Sequence, residues 1–281
     1  MALILTQAKQ MRYQSLFHSQ AHEKDFFKQK HHRIYQAKDA ILFIEITTEK
    51  AHVYPAFNSL AALKKGLDAL NTLLDPGKIV HIQLNVDKAK PEKLQQLIKL
   101  FESAGCELMD DNVAYVCESL NQFNGMTFDD IKPYQKRDKE AVYSMATSLL
   151  GRSRFNMPFT EFQAFLNAST SVIRLIYDSE KPLGFVFGHI YNQGLSIFIR
   201  GLGVLPEYRR QGYARKLMQC LFKDAAALGV STSMLWVEKE NNSAIALYKA
   251  LGYLPSGDQE VVMTYQLNTC SGSSGDRATA S

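Results

Sequence analysis

An apolar strand that runs into a basic, glycine-bearing turn and then directly into a helix restricts this chain more than any other feature. It reads Gly203-Val204-Leu205-Pro206-Glu207-Tyr208-Arg209-Arg210-Gln211-Gly212-Tyr213-Ala214-Arg215-Lys216-Leu217-Met218. The first N–H groups of a helix have no intrahelical partner, and the helix dipole favours negative charge beside them. Gly212 has no side chain to block close approach by a phosphate. Arg209, Arg210 and Arg215 add positive charge around the same mouth. The stretch therefore offers a cradle for a pyrophosphate. Its bland alternative is an ordinary strand-to-helix turn with a solvated basic face.

The segment that follows separates the two readings. A helix over about Tyr213 to Leu228 is stopped by Gly229. A short apolar strand, Met234-Leu235-Trp236-Val237, comes next. Then comes Asn241-Asn242-Ser243-Ala244-Ile245-Ala246-Leu247-Tyr248-Lys249-Ala250-Leu251-Gly252-Tyr253. Ala244, Leu247, Tyr248 and Leu251 share one helix face, and Gly252 is placed to end that helix.

Together these stretches resemble the GNAT superfamily of N-acetyltransferases. Arg209-x-x-Gly212-x-Ala214 is similar to that family's acetyl-coenzyme A loop. Asn241-x-x-Ala244-x-x-x-Tyr248-x-x-x-Gly252-Tyr253 is similar to its second motif. The resemblance implies a cofactor site of Leu202, Gly203, Val204, Arg209, Arg210, Gln211, Gly212, Tyr213, Ala214, Arg215, Asn241, Ala244 and Tyr248. It implies that Asn241 touches the pantetheine arm, that Tyr248 sits near the thioester sulfur, and that backbone N–H groups at Gly203-Val204 stabilise the carbonyl oxygen. A phenol, with an ordinary pKa of about 10 against about 8.5 for a thiol, suits protonation of the leaving thiolate. As catalytic residues the reading names Tyr248 and, for the base, Glu238.

The base is the least determined part. Family members that acetylate protein amino termini carry a glutamate five residues before the motif asparagine, where this chain has Trp236. Strand alternation puts Glu238 on the side of Trp236, but a solvated carboxylate at a strand end fits equally. His189 is a further candidate. Arg200, odd in so apolar a strand, either meets a substrate carboxylate or pairs with an acid at the surface. Trp236 weakens an amino-terminal acetylation reading and leaves the acceptor open.

The 281 residues suggest about two domains. With 32 basic against 28 acidic residues, the formal charge of +4 is too mild to argue for nucleic acid. No long apolar run suggests a membrane helix, and the apolar start Met1–Leu5 is too short for a secretory signal. Cys106, Cys117, Cys220 and Cys270 lack metal-ligand spacing and read as reduced thiols of a cytoplasmic protein. His18, His22, His31 and His32 cluster without a matching acid set, so no metal is expected.

The expected architecture is α/β (α+β): a GNAT fold, a mixed central sheet flanked by helices, in tandem with a degenerate GNAT-like domain. The carboxyl-terminal half shows one strand, two helices, a meander and the motif region, ending in a strand at Glu260–Leu267. The amino-terminal half repeats the later part of that order: a meander over 32–54, a helix from Leu60, a strand at Ile79–Leu84, a helix from Pro91, and closing strands. Phe101-x-x-x-Gly105 repeats the spacing of Tyr248-x-x-x-Gly252. The turn Ala56-Phe57-Asn58-Ser59-Leu60 has neither glycine nor arginine, and Phe101 has no hydroxyl. The alternative is an unrelated α/β domain. Boundaries are read as 1–120 for this domain, 121–125 for a polar linker, 126–268 for the catalytic domain, and 269–281 for a disordered tail.

The expected activity is direct transfer of an acetyl group from acetyl-CoA to a primary amine of a small molecule or peptide. The alternative is a non-catalytic acyl-CoA-binding or sensing protein with an amino-terminal interaction module. Partners are acetyl-CoA and an amine, with no nucleic acid and no membrane. A homodimer is left open.

Overall fold

The computed structural model describes residues 2–16, 20–47, 50–76, 78–84, 91–123, 125–154 and 157–267. The amino-terminal elements are α1 (Ala2–Lys9), β1 (Tyr13–Gln14), α2 (Gln20–Lys28), β2 (Arg33–Gln36), β3 (Ala40–Ile46), β4 (Lys50–Phe57), α3 (Leu60–Leu73), β5 (Ile79–Leu84), α4 (Pro91–Ser103) and β6 (Glu107–Cys117). Those that follow are β7 (Ile131–Pro133), α5 (Lys139–Arg154), α6 (Phe159–Asn167), β8 (Ser171–Asp178), β9 (Lys181–Tyr191), β10 (Ser196–Val204), α7 (Tyr213–Ala227), β11 (Thr232–Glu238), α8 (Asn242–Ala250) and β12 (Leu254–Tyr265). Short 3-10 turns lie between some of them. Among the described residues no helix is long and apolar enough to cross a membrane, and no group of His, Cys, Asp or Glu could hold a metal. The tail and His18 lie outside the described residues.

The chain divides into two compact units, residues 1–111 with 260–281, and residues 112–259. In the second unit the strand order is β6-β11-β10-β9-β8-β7. Only β10 and β11 run parallel there, as a helical crossover through α7 requires. In the first unit β2, β3 and β4 form an antiparallel meander, β5 joins β4 in parallel, and β12 pairs antiparallel with β5. Both units thus place meander, crossover helix, parallel strand and antiparallel strand in the same order. This is a mixed α/β architecture of sheet and flanking helices, as the sequence led us to expect.

The closing strands differ from that expectation. β12 was expected to finish the domain it follows, yet Val261–Tyr265 pair with Val80–Leu84 in the first unit. The edge of β11 is taken instead by β6, with Ser233–Glu238 against Asn112–Cys117. Each half of the chain therefore passes the far part of its last strand, 112–117 of β6 and 260–265 of β12, into the unit built by the other half. Strand alternation says which face a residue takes, not which strand it pairs with, so local pattern could not reveal the exchange.

The stretch 121–125 is also not a simple linker. Leu120–Phe123 form a 3-10 turn whose Leu120 and Phe123 are buried in the second unit's core, with Phe123 5.3 Å from the ring of Phe222. The two apolar residues lie three apart, on one side of such a turn, among the polar residues that suggested a linker.

In the second unit, α7 buries Leu217, Met218, Leu221, Phe222 and Ala225 at helical spacing. Each of its large side chains contributes about 1.5–3 kcal/mol on burial. The helix is thereby held on one sheet face with its amino terminus at the end of β10. The opposite face packs Val142 and Ala146 of α5 and Phe162 of α6 on Phe185 and Phe187.

The exchange sets what a fragment must contain. A polypeptide over 112–259 keeps β6 against β11. One beginning at Gly125 leaves that edge of β11 unpaired and its apolar neighbours exposed. The longer fragment should be monomeric and show a cooperative melt. The shorter should aggregate, as read by size-exclusion chromatography. Equal behaviour of the two would mean that β6 adds nothing to this unit.

Candidate active site

The cleft begins where β10 and β11 part. The strands pair in parallel from Ser196↔Thr232 to Ile199↔Leu235 and no further. Beyond that point β10 continues on β9 as far as Val204↔Gly184, and β11 continues on β6 to Glu238↔Asn112. Their outer edges stay hydrogen-bonded while their facing edges diverge. A bulge between Ile199 and Gly201 helps turn β10 away, with Arg200 as the extra residue. Gly201 is required there for a separate reason. A Cβ on it would lie 2.5 Å from the ring of Phe187, so only glycine lets that core ring pack under the strand.

The parted strands open a cavity of about 810 Å³, lined by β10, β11, α5, the 208–215 turn and α8. At one end stands the amino terminus of α7. Gly212 takes the N-cap position with φ 83° and ψ −2°, the left-handed region, and no side chain caps the helix. A Cβ at Gly212 would meet nothing within 4 Å. The space before the first helical N–H groups is open. Arg210 also has a positive φ, 64°, a costly conformation outside glycine, which bends the turn around this opening. The Nε of Arg209 donates to the carbonyl of Val204 at 3.1 Å, tying the turn to the strand.

At the other side, Asn241 caps α8: its side-chain oxygen accepts from the N–H of Ala244 at 3.1 Å. Tyr248 is buried and faces the cavity. Its ring lies 5.7 Å from that of Tyr253, whose hydroxyl shares a 2.6 Å hydrogen bond with Ser233. Tyr253 is fully buried, which pushes its phenol well above the ordinary range. The N–H of Tyr253 closes the helix on the carbonyl of Tyr248 at 3.0 Å, with Gly252 at φ 88°. This is a Schellman-type stop that fixes Tyr248 in the last turn.

Leu202, Gly203, Val204, Arg209, Arg210, Gly212, Tyr213, Ala214, Arg215, Asn241, Ala244 and Tyr248 all line the cavity. Gln211 does not. Its amide donates back to the carbonyl of Glu207 at 3.4 Å. Glu238 is exposed at the strand end and does not line the cavity, and its carbonyl accepts the N–H of Asn241. Trp236 and Arg200 do line it. His189 lies outside the lining; burial, with Arg200 nearby, lowers its pKa. The sequence reading missed Leu149 and Leu150 of α5, which come from a distant part of the chain. It also missed Ser243 and Leu247, which helical spacing from Ala244 and Tyr248 would have placed beside them.

The first unit supplies an internal contrast. There β4 and β5 also pair in parallel over four positions, Lys50↔Ile79 to Val53↔Ile82, and then diverge. Here the free edge of β4 is filled. Tyr13 and Gln14 pair with Phe57 and Ala56, and Ser15 bridges the strands, its N–H to Pro55 at 2.8 Å and its hydroxyl to Gln83 at 2.8 Å. The helix that follows is capped by the Ser59 side chain, which accepts from Ala62 at 3.2 Å. An extended peptide segment and a serine hydroxyl thus take the two places that stay open in the second unit. Phe101, at the position matching Tyr248, is fully buried, and Cys106 closes on its carbonyl as Tyr253 closes on that of Tyr248.

Residues 134–253 match a family model described as the acetyltransferase (GNAT) family. They form a GNAT-family domain. A 52-residue stretch is 42% identical to the [ribosomal protein bS18]-alanine N-acetyltransferase of Escherichia coli strain K12. The match covers 18% of this chain and 35% of that relative, so the chain spans about a third of the relative's length. The N-alpha-acetyltransferase 20 of Dictyostelium discoideum is 26% identical over 143 residues, 50% of this chain and 70% of the relative. Among solved structures, a GCN5-related N-acetyltransferase from Sphaerobacter thermophilus shares the fold at a TM-score of 0.57 with 17% identity, over 82% of this chain and 78% of its own. One from Kribbella flavida does so at 0.52 with 15% identity, over 86% and 91%.

Proposed function

We propose that this protein is an acetyl-CoA-dependent N-acetyltransferase that transfers the acetyl group directly to a primary amine of a small molecule or peptide. The observation that carries the reading is the open pair of binding elements in one cavity: an uncapped helix terminus at Gly212 and two strands with diverging inner edges.

The residues fit the phosphates, the pantetheine arm and the thioester of coenzyme A. The open N–H groups at the start of α7, with Arg209, Arg210 and Arg215, suit the phosphates. The diverging edges of β10 and β11 suit the amide-bearing pantetheine arm; Tyr13–Ser15 make comparable backbone contacts in the first unit. Bound there, acetyl-CoA supplies the activated acetyl thioester. Ladder alternation turns the Gly203 N–H toward β9 and leaves those of Leu202 and Val204 facing the cleft; these two stabilise the negative charge that grows on the carbonyl oxygen, often the largest electrostatic contribution in acyl transfer. Tyr248 donates the proton that the leaving thiolate takes. Glu238 is exposed and off the cavity, so proton removal from the amine falls to solvent or to a water held near the cavity mouth.

The names of the relatives point to peptide amino termini as one acceptor type. The test is release of free thiol from acetyl-CoA across a panel of amines and amino-terminal peptides, with the product mass read in parallel. An acetylated amine and one equivalent of thiol are expected. Saturable acetyl-CoA binding with no transfer to any acceptor would favour the sensing reading instead.

A further inference from the structure

The cavity is lined by four arginines, Arg200, Arg209, Arg210 and Arg215, and by no acidic residue. Three of them surround the start of α7. Arg200 does not. It precedes Val204 by four residues on an extended strand, about 13 Å at about 3.3 Å per residue. Every phosphate of coenzyme A lies on its nucleotide side, and its thioester end is neutral. If the phosphates sit at α7, Arg200 faces the neutral end.

Arg200 is also uncompensated. Among the described residues no carboxylate lies within ion-pair reach of it. Its guanidinium stands 5.8 Å from the centre of the Phe165 ring, and the residue is exposed and lines the cavity. The sequence left two readings of it, a surface ion pair or a substrate contact. Among the described residues there is no such ion pair. Its charge is nonetheless felt nearby: with burial it helps to keep His189 neutral, and the Nδ1 of that ring is buried with no hydrogen-bond partner.

A lone cation beside the transfer point would repel an ammonium acceptor unless the acceptor brought its own anion. We propose that Arg200 binds a carboxylate of the acceptor, so that the amine acetylated here belongs to a molecule that also carries a carboxylate, such as an amino acid or an acidic peptide. A guanidinium matches a carboxylate in a two-point fork. The same positive charge favours the uncharged amine over the ammonium, and only the uncharged amine has the lone pair that attacks the thioester. The inference rests on the acetyltransferase reading for the chemistry and on the position of Arg200 for the acceptor class.

The test compares matched acceptors in wild type and Arg200→Gln. The pairs are glycine with glycinamide, 4-aminobutyrate with 4-aminobutyramide, and a tripeptide with aspartate or asparagine in second place. The preference for the carboxylate member, as a ratio of kcat/KM, should fall by about 10- to 100-fold in the variant, the size of one charge-assisted contact. The pair showing the largest fall separates a free amino acid from an acidic peptide. An unchanged ratio in all pairs overturns the proposal. So does loss of acetyl-CoA stabilisation in Arg200→Gln, which would assign the arginine to the cofactor. Calorimetric binding of the same amines in the presence of coenzyme A separates the two readings. Arg200-dependent binding of the carboxylate members without turnover upholds the acceptor class and sinks the transferase. Turnover indifferent to the carboxylate does the reverse, and neither binding nor turnover overturns both.

Discussion

Acetyl-CoA binding is expected to be lost in Gly212→Glu, with Kd raised by about 10²–10⁴-fold. That range corresponds to two charge-assisted hydrogen bonds to phosphate, each about 1.5–3 kcal/mol. Three effects act together at this position. A glutamate puts a negative charge where the anion should lie. Its side chain fills the space before the first N–H groups of α7. The φ of 83° also disfavours any residue with a Cβ, by about 1–2 kcal/mol. The fold should survive, since a Cβ there meets nothing within 4 Å. Gly212→Ala carries the conformational cost without the charge and should weaken binding far less. Thermal melts with increasing acetyl-CoA read the outcome, because a ligand that binds only the native state raises the midpoint by mass action. Equal stabilisation of wild type and Gly212→Glu would remove the cradle from this turn.

The cradle was legible because its chemistry is local. An apolar strand, a glycine at the helix start and nearby arginines all fall within sixteen consecutive residues, and the helix terminus follows from backbone geometry alone. The second motif was legible for a similar reason, since helical spacing fixes Tyr248 relative to Ala244 and Gly252. The limits of the reading were equally physical. Glu238 shares a strand face with Trp236, and alternation correctly gives that face. It does not say where the cavity ends, and the strand passes beyond it before reaching Glu238. Gln211 fits the family's loop by position, but its side chain satisfies a carbonyl of its own turn.

In the amino-terminal unit the same order of elements has its β4 edge and its helix terminus occupied. The Phe101–Gly105 spacing recurs as a Schellman-type stop with Gly105 at φ 89°, so the echo extends from sequence into backbone conformation. The turn residues 56–60 pointed to absent anion binding through missing glycine and arginine. One feature lay outside the reach of local sequence: Tyr13–Ser15, distant in the chain, occupy the β4 edge whose counterpart in the second unit stays open. The expected meander stops at residue 54, but β4 continues through Pro55 to Phe57. Proline lacks only the N–H, and its carbonyl still serves as the acceptor for Ser15.

Removal of one oxygen atom should have the largest effect on turnover. Tyr248→Phe is expected to lower kcat by about 10²–10⁴-fold, the usual contribution of a placed general acid, with acetyl-CoA affinity within about threefold of wild type. The ring carries the packing: Tyr248 is the buried residue of α8 and lies against Tyr253, and phenylalanine keeps that contact. The hydroxyl is what the proposed chemistry needs, since the departing thiolate must gain a proton inside a cavity whose lining offers no acidic side chain. The leaving group offers an independent check. A thioester whose thiol has a lower pKa needs less protonation, so an activated thioester analogue should recover more activity in Tyr248→Phe than acetyl-CoA does. Undiminished kcat in the variant would return Tyr248 to a packing role. A fall in kcat that is the same for both thioesters would show that the hydroxyl positions the acetyl group instead of donating a proton.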